Sequence, residues 1–195
     1  TEAKYISRGG LKLEGALKAA GVNVTGLRCL DVGQSTGGFT DCLLQHGAAQ
    51  VVGVDVGHGQ LHASMREDDR VVCLEGINAR SLTATDLIAA YARESCVDGD
   101  NFEIDPVFDF LTGDLSFISL TLVLPAVVRL LKADGHLLML VKPQFELQPG
   151  QIGKGGIVRD EAHFEFVEKR LRDACTELGV DVLGWMESGI QGGDG

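Results

Sequence analysis

The sequence contains little that could cross-link it. Its five cysteines are odd in number, scattered, and never form a C-x-x-C pair. Disulfide frameworks and structural zinc sites both depend on regular cysteine spacing. His58 and His62 stand four residues apart without further candidate ligands nearby, so we interpret them as surface residues and expect no metal. We therefore expect a reduced, cytoplasmic chain whose cysteines act as small apolar side chains.

Long hydrophobic runs are also missing. The most apolar stretch, SLTLVLPAVVRLL, is interrupted by Pro125 and Arg129 and is shorter than the roughly 18 residues of a membrane span. No signal-peptide pattern opens the sequence. With 45% hydrophobic and 23% charged residues, the 195 residues suit one globular domain, residues 1–195, without a membrane partner.

Positive charge is scarce as well. The sequence has 17 lysines and arginines against 28 aspartates and glutamates, which gives a net charge of −11. This balance excludes a broadly basic surface of the kind that binds nucleic acids. A nucleic-acid substrate would therefore need positive charge that is local or that comes from another domain.

What the sequence does contain is a regular alternation of apolar runs and amphipathic segments. The apolar runs predict strands at 28–32, 49–57, 70–76, 107–115, 136–142 and 180–188. The amphipathic segments predict helices at 9–20, 38–46, 83–95, 118–135 and 160–179, and 96–105 is expected to be a loop. Strands that are apolar on both faces indicate a parallel sheet covered by helices on both sides, an α/β fold of the Rossmann-like type.

Four charged residues fall at or just past predicted strand ends. They are Asp31, Asp55, Asp114 and Lys142. Ligands of open α/β sheets bind beyond the carboxyl ends of the strands. We therefore expect these four side chains to surround one binding site.

The turn after the first strand, GQSTGG, is compatible with several chemistries. A dinucleotide fingerprint, G-x-G-x-x-G, has Ser35 where the second glycine belongs, and Asp31 would repel a pyrophosphate. A nucleophile elbow, G-x-S-x-G, would make Ser35 the nucleophile of a serine hydrolase. However, this elbow would follow the first strand, and neither His136 nor His163 is well placed as its partner. An ordinary tight turn without a ligand is a further alternative.

S-adenosylmethionine (SAM) suits the turn best. SAM carries a sulfonium cation and no phosphate, so neighbouring carboxylates attract it. Asp31 and Asp55 supply such carboxylates, and Asp55 is able to accept hydrogen bonds from two ribose hydroxyls. The glycines at 33, 37 and 38 leave room for the amino-acid end of the cofactor.

Seven segments in this order resemble a known family. They are KYISRGGLKLEGAL, CLDVGQSTGGFTDCLL, VVGVDVGHGQL, NARSL, GDLSFISL, VKPQFE and GKGGIVRD. They are similar to the TlyA family of haemolysin-like ribosomal RNA methyltransferases, within the FtsJ-like 2′-O-methyltransferases. The resemblance implies SAM as cofactor and ribosomal RNA or ribosomal subunits as partners. Together with the turn, it predicts these cofactor-binding residues: Asp31, Gly33, Ser35, Thr36, Gly37, Gly38, Phe39, Asp55, Val56, Asn78 and Asp114.

The resemblance also implies catalytic residues, because the larger class uses a lysine, aspartate, lysine and glutamate. Matching positions are Lys12, Asp114 and Lys142, and the fourth position would follow Gly195. A lysine ammonium stabilises an oxyanion, whereas a lysine of lowered pKa would instead accept the proton of a ribose hydroxyl. Lys142 is the expected lysine in this role, with Asp114 orienting it and Lys12 assisting.

Further expectations concern the surroundings of the site. The resemblance implies a small basic RNA-binding domain before Thr1, which would reconcile the charge of −11 with an RNA substrate, and a final strand beyond Gly195. The glycine-rich stretch 148–160, with Lys154 and Arg159, is either a clamp on the substrate or an ordinary loop. A non-catalytic RNA- or ribosome-binding module with this fold is the main alternative function. The target nucleotide and the oligomeric state are not indicated.

Overall fold

A computed structural model describes residues 2–94, 104–152, 158 and 160–190. Its centre is a parallel sheet of five strands in the order β3-β2-β1-β4-β5. The strands are β1 Arg28–Val32, β2 Gln50–Asp55, β3 Val71–Glu75, β4 Phe108–Gly113 and β5 Leu131–Met139. The predicted α/β fold is confirmed, because β1 and β4 are buried nearly throughout, as expected of strands covered on both faces.

Helices cover both faces of the sheet. They are α1 Arg8–Ala20, α2 Gly38–Gln45, α3 Ala63–Arg66, α4 Ala84–Glu94, α5 Leu120–Val127 and α6 Glu161–Glu177. Residues of α1, α2 and α3 form one apolar core with the sheet, and residues of α4, α5 and α6 form a second core on the other face. Within the described part of the chain, none of these helices is long and apolar enough to cross a membrane.

The predicted helix at 118–135 is too long. In the structure α5 ends at Val127, a short 3₁₀ helix spans Val128–Leu130, and β5 begins at Leu131. The helical periodicity is overridden because Leu131 pairs with Phe108 of β4. Regular pairing resumes at His136, opposite Phe110, after an irregularity in the register.

The strand predicted at 180–188 is wrong, since this segment pairs with no strand among the described residues. An open cleft of about 2310 Å³ is lined by residues of β5, α1, α6 and this segment. The apolar residues that suggested a strand are partly exposed here, Leu183 most of all. An apolar run becomes a strand only when a neighbouring edge satisfies its backbone groups, and no strand within the described ranges pairs with this one.

Candidate active site at the carboxyl ends of the strands

The parallel register brings the predicted acids to one end of the sheet. Asp31 lies opposite Gly53 of β2 and Thr112 of β4, and Asp55 ends β2. Asp114 directly follows β4, and its backbone N–H donates to the carbonyl of Val32 at 3.3 Å. The charges of Asp114 and Asp55 both reach Asp31, where they help to raise its pKa. The three acids therefore lie at the same end of the sheet, which agrees with the prediction.

Asp31 is a completely buried carboxyl group. Burial raises its pKa from 3.8 to about 7, and the hydroxyl of Thr40, which donates to Oδ2 at 2.8 Å, lowers it only in part. The other oxygen, Oδ1, is buried without a hydrogen-bond partner among the described residues. Because an unsatisfied buried acceptor is costly, this oxygen indicates a missing donor at the site.

Gln34 supports Asp31 indirectly, through the hydroxyl of Thr40. Its Nε2 donates to Thr40 Oγ1 at 2.9 Å, so the Thr40 hydroxyl has its own proton free for Asp31. The Gln34 side chain lies across β2 at Gly53, where an added Cβ would come within 2.0 Å of Gln34 Cδ. The bare backbone at Gly53 therefore makes room for the buried glutamine.

Asp55 is fixed by the backbone around it. Its Oδ2 accepts from the N–H of Ser35 at 2.6 Å, and its Oδ1 accepts from the N–H of Gly57 at 2.8 Å. Ser35 takes the left-handed conformation, with φ of 52°, so the turn bends toward Asp55. Among the described residues, no histidine bonds to Ser35, which removes the support for a serine nucleophile. The neighbouring Val56 is 72% exposed, an unusual position for an apolar side chain.

The glycines of the turn are required by the protein's own packing. A Cβ at Gly33 would come within 2.7 Å of Leu115, and one at Gly37 within 2.8 Å of Leu61. A Cβ at Gly38 would come within 2.0 Å of the Ser7 hydroxyl. The sides of these glycines that were expected to leave room for a cofactor are therefore occupied, and any contact with a ligand must come through their backbone.

A second group of predicted residues meets next to Asp114. Lys142 follows β5, and its Nζ lies 2.5 Å from Asp114 Oδ1 and 2.8 Å from Ser116 Oγ. Both members of the ion pair are partly buried, at 21% and 27% side-chain exposure. Lys12 lines the same cleft as Lys142, but no ion pair joins it to the other two among the described residues. The structure thus pairs Asp114 with Lys142 and places Lys12 on the lining of the same cleft.

The N-terminal segment is attached to the helix that follows the glycine turn. The N–H of Ile6 donates to Asp41 Oδ2 at 2.8 Å, and the side-chain amide of Gln45 donates to the carbonyl of Lys4 at 2.9 Å. The hydroxyl of Tyr5 donates to Glu14 of α1. These bonds fix the start of α1, and with it Lys12, to α2.

The remaining predicted residues have these positions. Phe39 is buried against Gly9 of α1, and Thr36 is exposed with its carbonyl accepting from the N–H of His62 at 3.0 Å. Asn78 is exposed and caps a 3₁₀ helix, Ala79–Ser81, by accepting from the N–H of Arg80. Their roles toward a cofactor stay predictions, and Lys154 and Arg159 lie outside the described residues. No cluster of possible metal ligands occurs in the described part of the chain.

Two aromatic residues beside the ion pair were missed by the sequence analysis. Phe117 is 90% exposed and has a φ of 64°, a conformation that is rare for a bulky side chain. Its ring lies 5.1 Å from the ring of Phe145, at an angle of 50°. We call Phe117 and Phe145 the aromatic platform. The only signal in the sequence was their separation of three residues from Asp114 and from Lys142, respectively.

The parallel sheet, the glycine turn and the acids at the strand ends define a Rossmann-like methyltransferase fold. A SAM-dependent methyltransferase from Mesorhizobium loti shows the same fold, with a TM-score of 0.51 at 20% identity over 72% of this chain and 58% of that one. The model of the FtsJ-like methyltransferase family matches residues 5–195, and the chain belongs to this family.

Much more similar proteins agree with this assignment. The 16S/23S rRNA (cytidine-2′-O)-methyltransferase TlyA of Mycobacterium tuberculosis is 44% identical over 192 residues, which are 98% of this chain. The chain spans 63% of the length of that relative. The solved structure of a candidate hemolysin from Lactococcus lactis has a TM-score of 0.85 at 40% identity, covering 100% of this chain and 85% of that one. The resemblance to the TlyA family is confirmed.

Proposed function

We propose that the chain is the methyl-transferring domain of a ribosomal RNA 2′-O-methyltransferase that uses SAM. The observation that carries the proposal is that the Lys142–Asp114 ion pair lies at the same end of the sheet as the unpartnered oxygen of Asp31. The family match and the activity named for the M. tuberculosis relative support it. A substrate in ribosomal RNA or ribosomal subunits also implies a cytoplasmic protein.

The described residues suit SAM as the cofactor. Asp31 Oδ1 needs a hydrogen-bond donor, and the ammonium group at the methionine end of SAM is one. Asp55 keeps acceptor capacity for ribose hydroxyls, and the exposed Val56 offers an apolar contact for the adenine ring, with Asn78 near its edge. When bound, SAM supplies an electrophilic methyl group. A pyrophosphate would instead be repelled by the three carboxylates, which argues against a dinucleotide.

Lys142 is placed to bind a ribose hydroxyl. Its ammonium has three N–H donors; one hydrogen-bonds to Ser116, and a second is taken up by the ion pair with Asp114. The third donor is left for the 2′-oxygen, where the cation would stabilise the negative charge that develops as this oxygen gives up its proton to solvent water. Because Lys142 faces a carboxylate, we favour this role over that of a neutral lysine that accepts the proton. Lys12 adds a second positive charge to the lining of the same cleft.

The aromatic platform has a place in the same scheme. An exposed aromatic ring is a surface on which an unstacked base packs, and RNA that is recognised at a single nucleotide has its base splayed out. Phe117 is close in sequence to Asp114, and Phe145 to Lys142, so the platform adjoins the ion pair. We propose that it holds the base of the target nucleotide while Lys142 holds its ribose.

Transfer of labelled methyl groups from SAM to purified ribosomal subunits tests the proposal. We expect incorporation into RNA by the wild-type protein and its loss in Lys142→Ala. Binding of RNA without any methyl transfer would favour the non-catalytic module instead. Labelling of Ser35 by a fluorophosphonate probe would revive the hydrolase interpretation.

A further inference from the structure

A second pocket opens beside the aromatic platform. It has a volume of about 620 Å³, and its lining includes Phe117, Phe145, Gln148, Arg80 and Arg170. The two arginines come from distant parts of the chain, since Arg80 lies in the 3₁₀ helix after β3 and Arg170 lies in α6. We call this the arginine pocket. None of its charged residues belongs to the predicted site.

The guanidinium group of Arg170 is held in a fixed orientation. Its Nη1 donates to the backbone carbonyl of Glu146 at 2.8 Å, and its Nη2 reaches Thr121 Oγ1 at 3.4 Å. The carboxylate of Glu146 does not neutralise this charge. It is buried and accepts instead from the Ser119 hydroxyl and, at 2.8 Å, from the N–H of Leu120 at the start of α5.

Arg80 is positioned by its backbone and keeps its charge free. Its backbone N–H donates a hydrogen bond to the side-chain oxygen of Asn78, and the 3₁₀ helix that carries Arg80 packs against α5. In the described ranges, no carboxylate lies within ion-pair distance of Arg80 or Arg170. Most other cations are paired with acids, namely Lys4, Arg28, Arg66, Arg70, Lys132, Lys142, Lys169 and Arg172.

Within the described residues, this pocket thus holds two guanidinium groups without a carboxylate partner, although the chain has a net charge of −11. Arginine presents a planar fork of donors that matches phosphate oxygens, and it is the preferred residue for binding them. Proteins that act on nucleic acids use such contacts to fix the register of the strand, while other contacts select the base. The arginine pocket adjoins the platform on which we place the target base.

We propose that the arginine pocket binds a backbone phosphate of the RNA strand, next to the nucleotide whose base packs on Phe117. The inference rests on the proposed function, which it extends from the reacting nucleotide to the strand that carries it. Binding of one phosphate by Arg80 and Arg170 positions the strand, so that the ribose lies against Lys142. It also gives an acidic domain a local positive charge where the RNA backbone passes.

The test measures binding of the protein to a single-stranded RNA oligonucleotide over a range of salt concentrations. Each phosphate contact contributes about 0.7 to the slope of log K against log salt for a single strand. We expect Arg80→Ala and Arg170→Ala each to make the slope shallower by up to about this amount, and to weaken RNA binding about tenfold at low salt. The affinity for SAM stays unchanged in both variants.

Arg129→Ala is the matched control. Arg129 is exposed and, like the two pocket arginines, has no ion pair within the part of the chain that the structure describes, but it follows α5 at the opposite end of the sheet. Because Arg170 also bonds to neighbouring residues, Arg170→Lys and the thermal unfolding of each variant separate lost phosphate binding from lost stability. The Lys variant keeps the charge and part of the affinity.

The outcomes are distinct from those that test the proposed function. Equal slopes in Arg80→Ala, Arg170→Ala and Arg129→Ala overturn the inference, and so does a wild-type protein that binds no RNA. Inorganic phosphate should compete with RNA better in the wild-type protein than in the double variant Arg80→Ala/Arg170→Ala. Equal competition in both proteins would also overturn the inference. If the wild-type protein transferred no methyl group but the arginine variants changed the salt slope as expected, the proposed function would be wrong and the phosphate site would still be supported.

Discussion

The two halves of the site are built in different ways. On the cofactor side, formed by β1, the glycine turn, α2 and β2, the polar side chains of Asp31, Gln34 and Thr40 are buried and bonded to one another. On the substrate side, formed by residues 114–119, 142–148, Arg80 and Arg170, a phenylalanine is 90% exposed and two arginines are unpaired. A preformed, buried site suits a small ligand of fixed shape, whereas a long RNA strand needs an open surface on which to bind.

The largest effect is expected at the border of the two sides, in Lys142→Ala. Removing a cation that stabilises developing charge lowers the rate of methyl transfer by about 10²–10³-fold. SAM affinity, measured by calorimetry, stays within about twofold, because Lys142 belongs to the substrate side. Lys132→Ala removes an equivalent ion pair, with Asp109, and is the control. Full activity of Lys142→Ala would contradict the proposed chemistry.

Asp55→Ala should have the next largest effect, on the cofactor side. Two hydrogen bonds to a charged acceptor contribute about 1.5 kcal/mol each, so SAM binding weakens about 100-fold. Asp55→Asn keeps one acceptor oxygen and loses less. Asp68→Asn removes a negative charge from the surface and serves as control. If Asp55→Ala weakened RNA binding as strongly as SAM binding, the division into two sides would be wrong.

The packing of Gln34 on Gly53 is the third test. Gly53→Ala forces the glutamine from its site and breaks its bond to Thr40, which lowers the free energy of unfolding by about 2 kcal/mol. The double variant Gln34→Ala/Gly53→Ala should recover most of this loss, because the two side chains no longer collide. Gly15→Ala, at an open helical position, is the control and should be neutral or stabilising. Additive losses in the double variant would disprove the coupling.

Phe117→Ala should affect only the substrate side. A stacked base contributes about 1–3 kcal/mol, so the KM for RNA rises about tenfold while the Kd for SAM is unchanged. Phe164→Ala, an exposed aromatic on α6, should leave both constants as they are. A change in SAM affinity without a change in KM would place Phe117 on the cofactor side.

The smallest effect is a dependence of SAM affinity on pH. The pKa of Asp31 is raised to about 7 mainly by burial, and the cationic cofactor favours its charged form, so binding releases a proton. SAM affinity therefore rises with pH and is up to about tenfold higher at pH 8 than at pH 6. Asp31→Asn should remove the dependence. Without SAM, the raised pKa means that Asp31 destabilises the fold as pH rises from about 4 to 7.

The cofactor side was largely predictable from the sequence, because its signals are local. An apolar strand, an acid at its end and a glycine turn follow one another within 28–38, and they predicted both the fold and the placement of Asp31. The glycines were explained differently, since Leu115, Leu61 and Ser7 occupy the space beside them. Those contacts come from other parts of the chain and leave no periodic pattern.

The substrate side was predicted only at Asp114 and Lys142, which both the predicted strand ends and the resemblance indicated. Asp114 and Lys142 met as expected, but the exposure of Phe117 depends on its positive φ, which sequence patterns do not indicate for phenylalanine. Arg80 and Arg170 are 90 residues apart and share a pocket only because α6 packs beside α5. The failed strand at 180–188 has a related cause, since pairing depends on a neighbour that periodicity does not specify.

The attachment of the N-terminal segment to α2 has a practical consequence for preparing this domain. Lys4, Tyr5 and Ile6 each form a bond that holds α1, so a shortened version starting at Ser7 would lose all three. Its first helix would then depend more on its apolar contacts, and the position of Lys12 would be less tightly fixed. Fusion partners should accordingly be joined to the chain before Lys4.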